Sequence, residues 1–452
     1  MLKNPKIECH KCKIYLKLLI KMRLKYLLIT TLIMVLSCQN PVSDRNPSDF
    51  TAASVKINEL MVKQVKTITD PDFGEYSGWI EFKNHEEFTV DLSGWIIAEQ
   101  VPYQTNFKHL YSIPPSTVIE PGGYFLVWMD GRGCVKKSVH ADFSLSTDSA
   151  KIGLYGPQWA QMPVIDTLSY FYEDFAEDIS PGKILLGDTD KIEILIPMNY
   201  PTPERKNRLA KLHQISSFEL DIEEPSGLCP DFANNFLWIV SDNVGGSIYK
   251  ITKEGKIVKE LCVNGEDMEG ICQSAVDKQL YVLKERKREI VIFDTLGNEK
   301  GCFKVEVEQK YDNYGLEGIA INSSGKHLFT VNERYPSAFI ELEITGENSL
   351  QQIQYTPLYF GADKDSRSWG LSGLSYEPDE SVLWMISDRT RAVFVIDRTC
   401  RVLAVYDVSE EDLEAVAVIK TENKIYFVSD QYHTLYVYEY PQPLLKLAAH
   451  KF

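Results

Sequence analysis

Leu237-Trp-Ile-Val-Ser-Asp242 is the stretch that decides the fold, because its pattern returns four times. The copies are Leu280-Tyr-Val-Leu-Lys-Glu285, Leu328-Phe-Thr-Val-Asn-Glu333, Leu383-Trp-Met-Ile-Ser-Asp388 and Ile425-Tyr-Phe-Val-Ser-Asp430. Each reads as a strand rich in β-branched and aromatic residues, closed by an acid. Fifteen residues before each acid stands a small residue, at 227, 270, 318, 373 and 415. It lies in Glu224-Pro-Ser-Gly-Leu228, Asp267-Met-Glu-Gly-Ile271, Gly315-Leu-Glu-Gly-Ile319, Gly370-Leu-Ser-Gly-Leu374 and Asp412-Leu-Glu-Ala-Val416. The intervals of 43, 48, 55 and 42 residues are those of a propeller blade.

Working outward, a third run follows in the unit, as in Ile248-Tyr-Lys-Ile251, Ile290-Val-Ile-Phe293 and Val393-Phe-Val-Ile396. Turn dipeptides such as Glu254-Gly255 and Leu296-Gly297 lead to a fourth strand. Four strands per unit make an all-β, five-bladed β-propeller over 213–440. The last unit has about 25 residues after Ala415, room for three strands. Ser216–Asp221 is expected to supply the fourth by pairing the two ends of the ring, which leaves no open edge. An open array or a sandwich competes with this reading but does not explain the shared register.

In a propeller the first strand of each blade lines the central channel. The residue before the small one is Ser226, Glu269, Glu317, Ser372 and Glu414. If that position points inward, three carboxylates share one channel and raise one another's pKa. A hard cation with oxygen ligands relieves that repulsion, and calcium tolerates irregular geometry best. Glu224, Asp267 and Asp412 are candidates for a second tier of ligands. The alternative is that these acids only bond backbone amides. The repeat acids Asp242, Glu285, Glu333, Asp388 and Asp430 read as architectural, since an acid in every blade serves the ring more than one site. Arg334, Arg367, Arg389 and Arg391 lie near acid-bearing strand ends and are expected to neutralise them.

These repeats resemble the SdiA-regulated propeller proteins, through Glu-Pro-Ser-Gly-Leu, Leu-Trp-Ile-Val-Ser-Asp and Leu-Glu-Gly-Ile-Ala. The resemblance implies an exported bacterial protein, in some members associated with calcium, and assigns no biochemical role.

Upstream, residues 52–207 alternate short apolar runs with Gly, Pro and Asn, which suits seven to nine strands of a β-sandwich. Ile57-Asn-Glu59, Trp79-Ile-Glu81, Asp91-Leu-Ser-Gly-Trp95, Pro121-Gly-Gly-Tyr124, Asp142-Phe-Ser-Leu145 and Val164-Ile-Asp166 follow the order of the lamin tail domain. Ser180-Pro-Gly-Lys183 and Pro201-Thr-Pro203 match its close, with Lys183 and Glu204 departing from the usual Arg and Gly. The resemblance implies an immunoglobulin-like sandwich and no chemistry. Glu59, Glu81 and Asp91 are expected to bond backbone amides at turns. No enzyme site built on a histidine or on a convergent carboxylate pair is read in this domain.

The chain begins with a different signal. Met22-Arg-Leu-Lys25 precedes an eleven-residue run, Tyr26–Leu36, that ends in Val35-Leu-Ser-Cys38. A basic start, a short apolar core and a terminal Cys resemble a bacterial lipoprotein signal over residues 1–37. It implies lipidation at Cys38, a polar tether over 38–51, and membrane attachment at the cell envelope, at the outer membrane. Residues 1–21 precede this signal, and a mis-called start with Met22 as initiator accounts for them. Cys9-His-Lys-Cys12 within them has no second ligand pair and is weak evidence for zinc. Residues 441–452 form a tail. Six cysteines remain after Cys38, and their connectivity is not readable from sequence.

Charge narrows the function. The 452 residues carry −16, yet the first 37 hold eight Lys/Arg against one Glu, which leaves −23 on the remainder. So acidic a body has no general attraction for nucleic acid, and none is expected as a partner. The eight His form no HExxH, and neither GxSxG nor a P-loop occurs. No catalytic residue is assigned. The expected function is a binding module for a protein or glycan, with calcium as cofactor. The alternative is a calcium-dependent hydrolase of lactones, esters or phosphoesters that uses the channel carboxylates.

Overall fold

The computed structural model describes residues 55–101, 105–147, 149–171, 177–186, 192–198, 200–306, 315–334, 336–347, 349–358, 370–408, 410 and 412–441. Cys38, the signal segment, Arg367 and the tail beyond 441 lie outside the described residues.

The repeat folds into five four-stranded antiparallel blades. Blade 1 is Pro225–Pro230, Leu237–Ser241, Gly246–Ile251 and Ile257–Gly265. Blade 2 is Met268–Gln273, Leu280–Lys284, Glu289–Phe293 and Glu299–Lys304. Blade 3 is Leu316–Ile321, His327–Asn332, Ala338–Gly346 and Ser349–Pro357. Blade 4 is Leu371–Glu377, Val382–Ser387, Ala392–Ile396 and Val402–Asp407. Blade 5 is Leu413–Ile419, Lys424–Ser429 and Thr434–Glu439. Its fourth strand is Gln214–Glu219, which pairs antiparallel with Thr434–Glu439 and closes the ring. The sequence placed that strand two residues further on.

Period-two alternation explains why the second strands are apolar throughout. In blade 1, Leu237 and Ile239 join the core shared with blade 5, while Trp238 and Val240 join the core shared with blade 2. In blade 4, Leu383 and Met385 face blade 3, and Trp384 and Ile386 face blade 5. A strand buried on both faces shows no polar side, so its run is continuous.

The N-terminal domain is a sandwich of a seven-stranded and a four-stranded sheet. Its core packs Val55, Ile57, Ile80 and Phe82 of one sheet on Ile97, Ile152, Leu154 and Leu168 of the other. Nine of its strands have five or more residues, and four are two-residue pieces. The outer hairpin of the large sheet, Ser180–Leu186 with Ile192–Met198, pairs with Val55–Met61 through Glu59 and Gly182. Ile184, Leu186, Ile194, Ile196 and Met198 of this hairpin share one core with Phe329, Phe339 and Phe394 of blades 3 and 4. Ala210–Lys211 then adds a parallel pair to the outer edge of blade 4 at Tyr406 and Asp407. The two domains therefore meet through an apolar interface.

Glu59 and Glu81 hold the segment that joins the domains. Glu59 accepts from the Ser180 hydroxyl at 2.5 Å and from the Thr202 N–H at 3.1 Å. Glu81 accepts from Asn58 Nδ2 at 2.7 Å and from the Glu204 N–H. Burial pushes the Glu81 carboxyl up to about 8. All six described cysteines are unpaired, with Cys229 and Cys272 buried.

Candidate metal centre in the propeller channel

Three local rules aim the acids at the axis. First, every pairing of first and second strand shifts register at the same place: Pro225/Leu228, Met268/Gly270, Leu316/Ile319, Leu371/Leu374 and Leu413/Ala415. A bulge re-aims the side chain it contains. Here that residue is Ser226, Glu269, Glu317, Ser372 or Glu414.

Second, the small residue lets neighbouring blades close up. A Cβ on Gly318 would lie 2.4 Å from the Leu374 nitrogen, and one on Gly227 would lie 2.6 Å from Gly270 Cα. Real side chains do not tolerate such approaches to backbone.

Third, the residue three before the small one enters the strand in the left-handed region: Glu224 (φ 44°), Asp267 (φ 61°), Gly370 (φ 55°) and Asp412 (φ 51°). Gly and Asp accept that conformation more readily than most residues, which gives three of these four residues a conformational reason. Its carbonyl takes the N–H of the repeat acid, as in Asp242 to Glu224 at 3.0 Å and Asp388 to Gly370 at 2.9 Å. The repeat acid thus lands beside the channel and opens the turn to the third strand.

One cavity of about 360 Å³ collects the result. Its described lining includes eight carboxylates, from Glu224, Asp242, Glu269, Glu317, Glu333, Asp388, Glu414 and Asp430, against one guanidinium, that of Arg334. The first-tier trio Glu269, Glu317 and Glu414 is all present. So are four of the five acids read as architectural from sequence. Spacing along the chain does not reveal that bulge and strand end meet at one place.

The second tier divides. Glu224 lines the cavity. Asp267 is buried beside Asp242 and Glu269, but its Oδ2 takes the Arg286 N–H at 2.5 Å and its Oδ1 lies 3.3 Å from the Arg286 guanidinium. Asp412 is not in the lining, and its backbone N–H bonds the Asp388 carboxylate. Glu285 lies off the lining but groups with Glu317 and Glu333, one oxygen from each within 4.8 Å of the others. Asp242, Asp267 and Glu269 form a second such group. Arg334 pairs with Glu333, and Arg391 favours ionised Asp388.

The electrostatics follow from burial and crowding. Burial, then the Asp242 charge, pushes Glu269 well above the ordinary carboxylate range, against the Ser226 hydroxyl. Burial, then the charges of Glu269, Glu285, Glu333 and Glu414, does the same to Glu317. Burial lifts Glu333 to about 7, opposed by Arg334, and lifts Glu414 to about 8 with help from Asp388 and Asp430. Asp242, Glu285, Asp388 and Asp430 are raised too, first by burial. Such a set holds protons or a cation. Its donors are all oxygen, and buried Asp267 Oδ1 has the Arg286 guanidinium at 3.3 Å but no hydrogen bond. That donor chemistry fits a hard divalent ion.

Two family models match the chain. A Lamin Tail Domain model matches residues 48–171. An SdiA-regulated model matches residues 209–364 and 364–451. No curated protein matches. Among solved structures, a nidogen/laminin complex is 12% identical, covering 45% of this chain and 72% of that one at a TM-score of 0.33. Myxococcus xanthus glutaminyl cyclase is 14% identical, covering 51% and 98%, at 0.39. A streptogramin B lyase is 12% identical, covering 66% and 91%, at 0.31.

Proposed function

The chain belongs to the SdiA-regulated family, and on that premise we propose that it is an envelope-attached binding module whose propeller holds calcium in its channel. The observation that carries this reading is the single cavity with eight carboxylates and one guanidinium in its described lining. Glu269, Glu317 and Glu414 are the central ligands, with Asp242 and Glu333 as neighbours that complete an all-oxygen set. An irregular ring of long and short carboxylates suits calcium, which accepts six to eight oxygens in loose geometry, better than magnesium. The ion fixes the five blade ends against one another and offers part of its coordination to a protein or glycan ligand at the channel mouth. Lipidation at Cys38 keeps the module at the membrane.

The test is a calcium titration of the chelator-treated protein, followed by calorimetry and melting. Binding that Glu317→Gln weakens at least tenfold, and that Glu347→Gln on an exposed turn leaves alone, supports the reading. No bound metal and a melting temperature unmoved by chelation would overturn it.

The cavity of about 360 Å³ leaves room for a small molecule beside an ion, which keeps a hydrolase as the second reading. Turnover of a lactone, ester or phosphoester that Glu317→Gln abolishes and Asp430→Asn retains favours the enzyme. Calcium binding without turnover favours the binding module.

A further inference from the structure

We propose that the sandwich domain carries a second metal site, for a divalent transition cation of the zinc class, with Asp70, Asp72 and His140 as ligands and Asp130 orienting the imidazole. It is independent of the channel and of the reading given to it.

The fold assembles the site from two segments. Asp70 opens a tight turn: its carbonyl accepts the Gly74 N–H at 2.8 Å, and its Oδ1 accepts the Asp72 N–H at 2.7 Å. The turn carries both Asp70 and Asp72 to His140, and Asp70, Asp130 and His140 each place one ligand atom within 4.8 Å of the others. His140 ends a short strand paired in parallel with Trp128, and Asp130 follows Trp128 by two residues. His140 and Asp70 are 0% and 1% exposed, and the Asp72 and Asp130 side chains 3% and 4%.

The contacts of the two ring nitrogens define where a cation fits. His140 Nδ1 lies 2.9 Å from Asp130 Oδ2, and Nε2 lies 3.1 Å from Asp72 Oδ2. Nε2 is also 3.8 Å from Asp70 Oδ1. A neutral imidazole has one N–H, so it donates to one carboxylate and turns a lone pair on the other. With Nδ1–H donated to Asp130, Nε2 faces Asp72 and Asp70 as acceptor against acceptors. This is the carboxylate–histidine–metal arrangement, in which the outer carboxylate fixes the tautomer. At bonds of about 2.0–2.1 Å and a tetrahedral angle, ligand atoms sit about 3.3 Å apart, a value the 3.1 and 3.8 Å separations bracket.

A separate observation points the same way. Asp70 Oδ2 is buried with no hydrogen-bond partner. It lies 3.8 Å from Arg132, whose guanidinium also holds Asp130 at 2.8 Å, so the orphan oxygen belongs to this cluster. Three buried carboxylates against one guanidinium leave a charge of −2 for a divalent ion to balance. The imidazole selects a metal that accepts nitrogen, which separates this site from the all-oxygen channel. The Phe73 ring meets His140 edge-on at 5.1 Å, with Arg132 above that ring, and screens the cluster from solvent.

The test titrates Zn²⁺ into the full-length, chelator-treated protein by calorimetry, with saturating calcium present to occupy the channel. One equivalent of Zn²⁺ is expected to bind, unaffected by Glu317→Gln. His140→Gln should weaken it at least a hundredfold, and Asp130→Asn ten- to a hundredfold as a positioning change. Zinc K-edge absorption should report an imidazole nitrogen among oxygen ligands. If His140→Gln does not fold, Asp70→Asn, close in shape and one charge less, carries the comparison. The proposal is overturned if no Zn²⁺ binds. Binding indifferent to the Asp70 and His140 changes overturns it too, as do two ring N–H protons on His140 at zinc saturation, because an imidazolium would then be satisfying both carboxylates.

Discussion

Ser226 Oγ lies 3.0 Å from Glu269 Oε2 across the seam between blades 1 and 2, and 3.0 Å from the Glu269 carbonyl oxygen. A serine in the position that other blades give to glutamate thus serves the neighbouring glutamate. Its hydroxyl favours the ionised form of Glu269 against burial. Ser372, the other serine at this position, instead donates to the Leu413 carbonyl at 2.8 Å.

Ser226→Ala should therefore weaken calcium binding about twofold to twelvefold at pH 7, the range that a hydrogen bond of about 0.5–1.5 kcal/mol gives. The loss should shrink as pH rises above 7, because the ionised form of Glu269 then depends less on that hydroxyl. Ser372→Ala should lower stability by about 1 kcal/mol and leave calcium affinity unchanged. Calorimetric titration across that pH range checks the affinities, and thermal melts check the stability.

The channel fixes a pH dependence. Glu333 and Glu414, ordinary value 4.5, stand at about 7 and about 8 in the folded protein. Between pH 4.5 and 8 the folded state therefore holds more protons than the unfolded one, and stability without metal falls as pH rises through that window. Calcium needs the same groups deprotonated. The rise in melting temperature on adding calcium should be larger at pH 8.5 than at pH 5.5. Thermal melts with calcium and with chelator at both values measure it.

Blade contact at the small residue predicts a sharp size limit. Gly318→Ala sets a Cβ 2.4 Å from the Leu374 backbone nitrogen and should destabilise by about 1–3 kcal/mol or more. Gly346→Ala meets only the Ser349 Cβ, at 3.7 Å, and should change stability by less than about 0.5 kcal/mol. Urea unfolding followed by intrinsic fluorescence compares the pair.

The hairpin that joins sandwich to propeller should couple their unfolding. Ile196, 3% exposed in the core it shares with Phe394, should cost about 2–5 kcal/mol as Ile196→Ala. A single calorimetric transition is expected in the parent protein. It should separate into two in the variant as the interface loosens.

The proposed membrane attachment rests on one thiol. Cys38→Ser should move the protein from the membrane pellet to the soluble fraction on cell fractionation, and metabolic labelling with a fatty acid should be lost with it.

Much of the propeller is legible in sequence because its repeat is a repeat of burial. Each second strand packs between two neighbours, so Leu237–Ser241 and Val382–Ser387 lose their polar face and share a register with every other blade. Ring closure is legible from the missing fourth strand of blade 5, since an unpaired edge demands a partner. The three channel glutamates are legible from their fixed place before the small residue. The repeat acids, by contrast, read as architectural. Only the paired geometry shows that a bulge in one strand and the end of the next bring Glu317 and Glu333 to one cavity.

The sandwich site is the reverse case. Asp70, Asp72, Asp130 and His140 spread over 71 residues with no metal-ligand spacing. One turn and one parallel strand pairing bring them within hydrogen-bond range, and no periodicity announces such a meeting. What the sequence by itself determined here is whatever repeats: strand register, blade count, and the inward position of the glutamates, because backbone geometry carries a fixed pattern to the same place each time. Only the tertiary structure decided which acids share a cavity, which are held by Arg286 or a backbone amide, and that His140 lies among three aspartates. Those facts depend on distances through space between segments whose order along the chain does not constrain them.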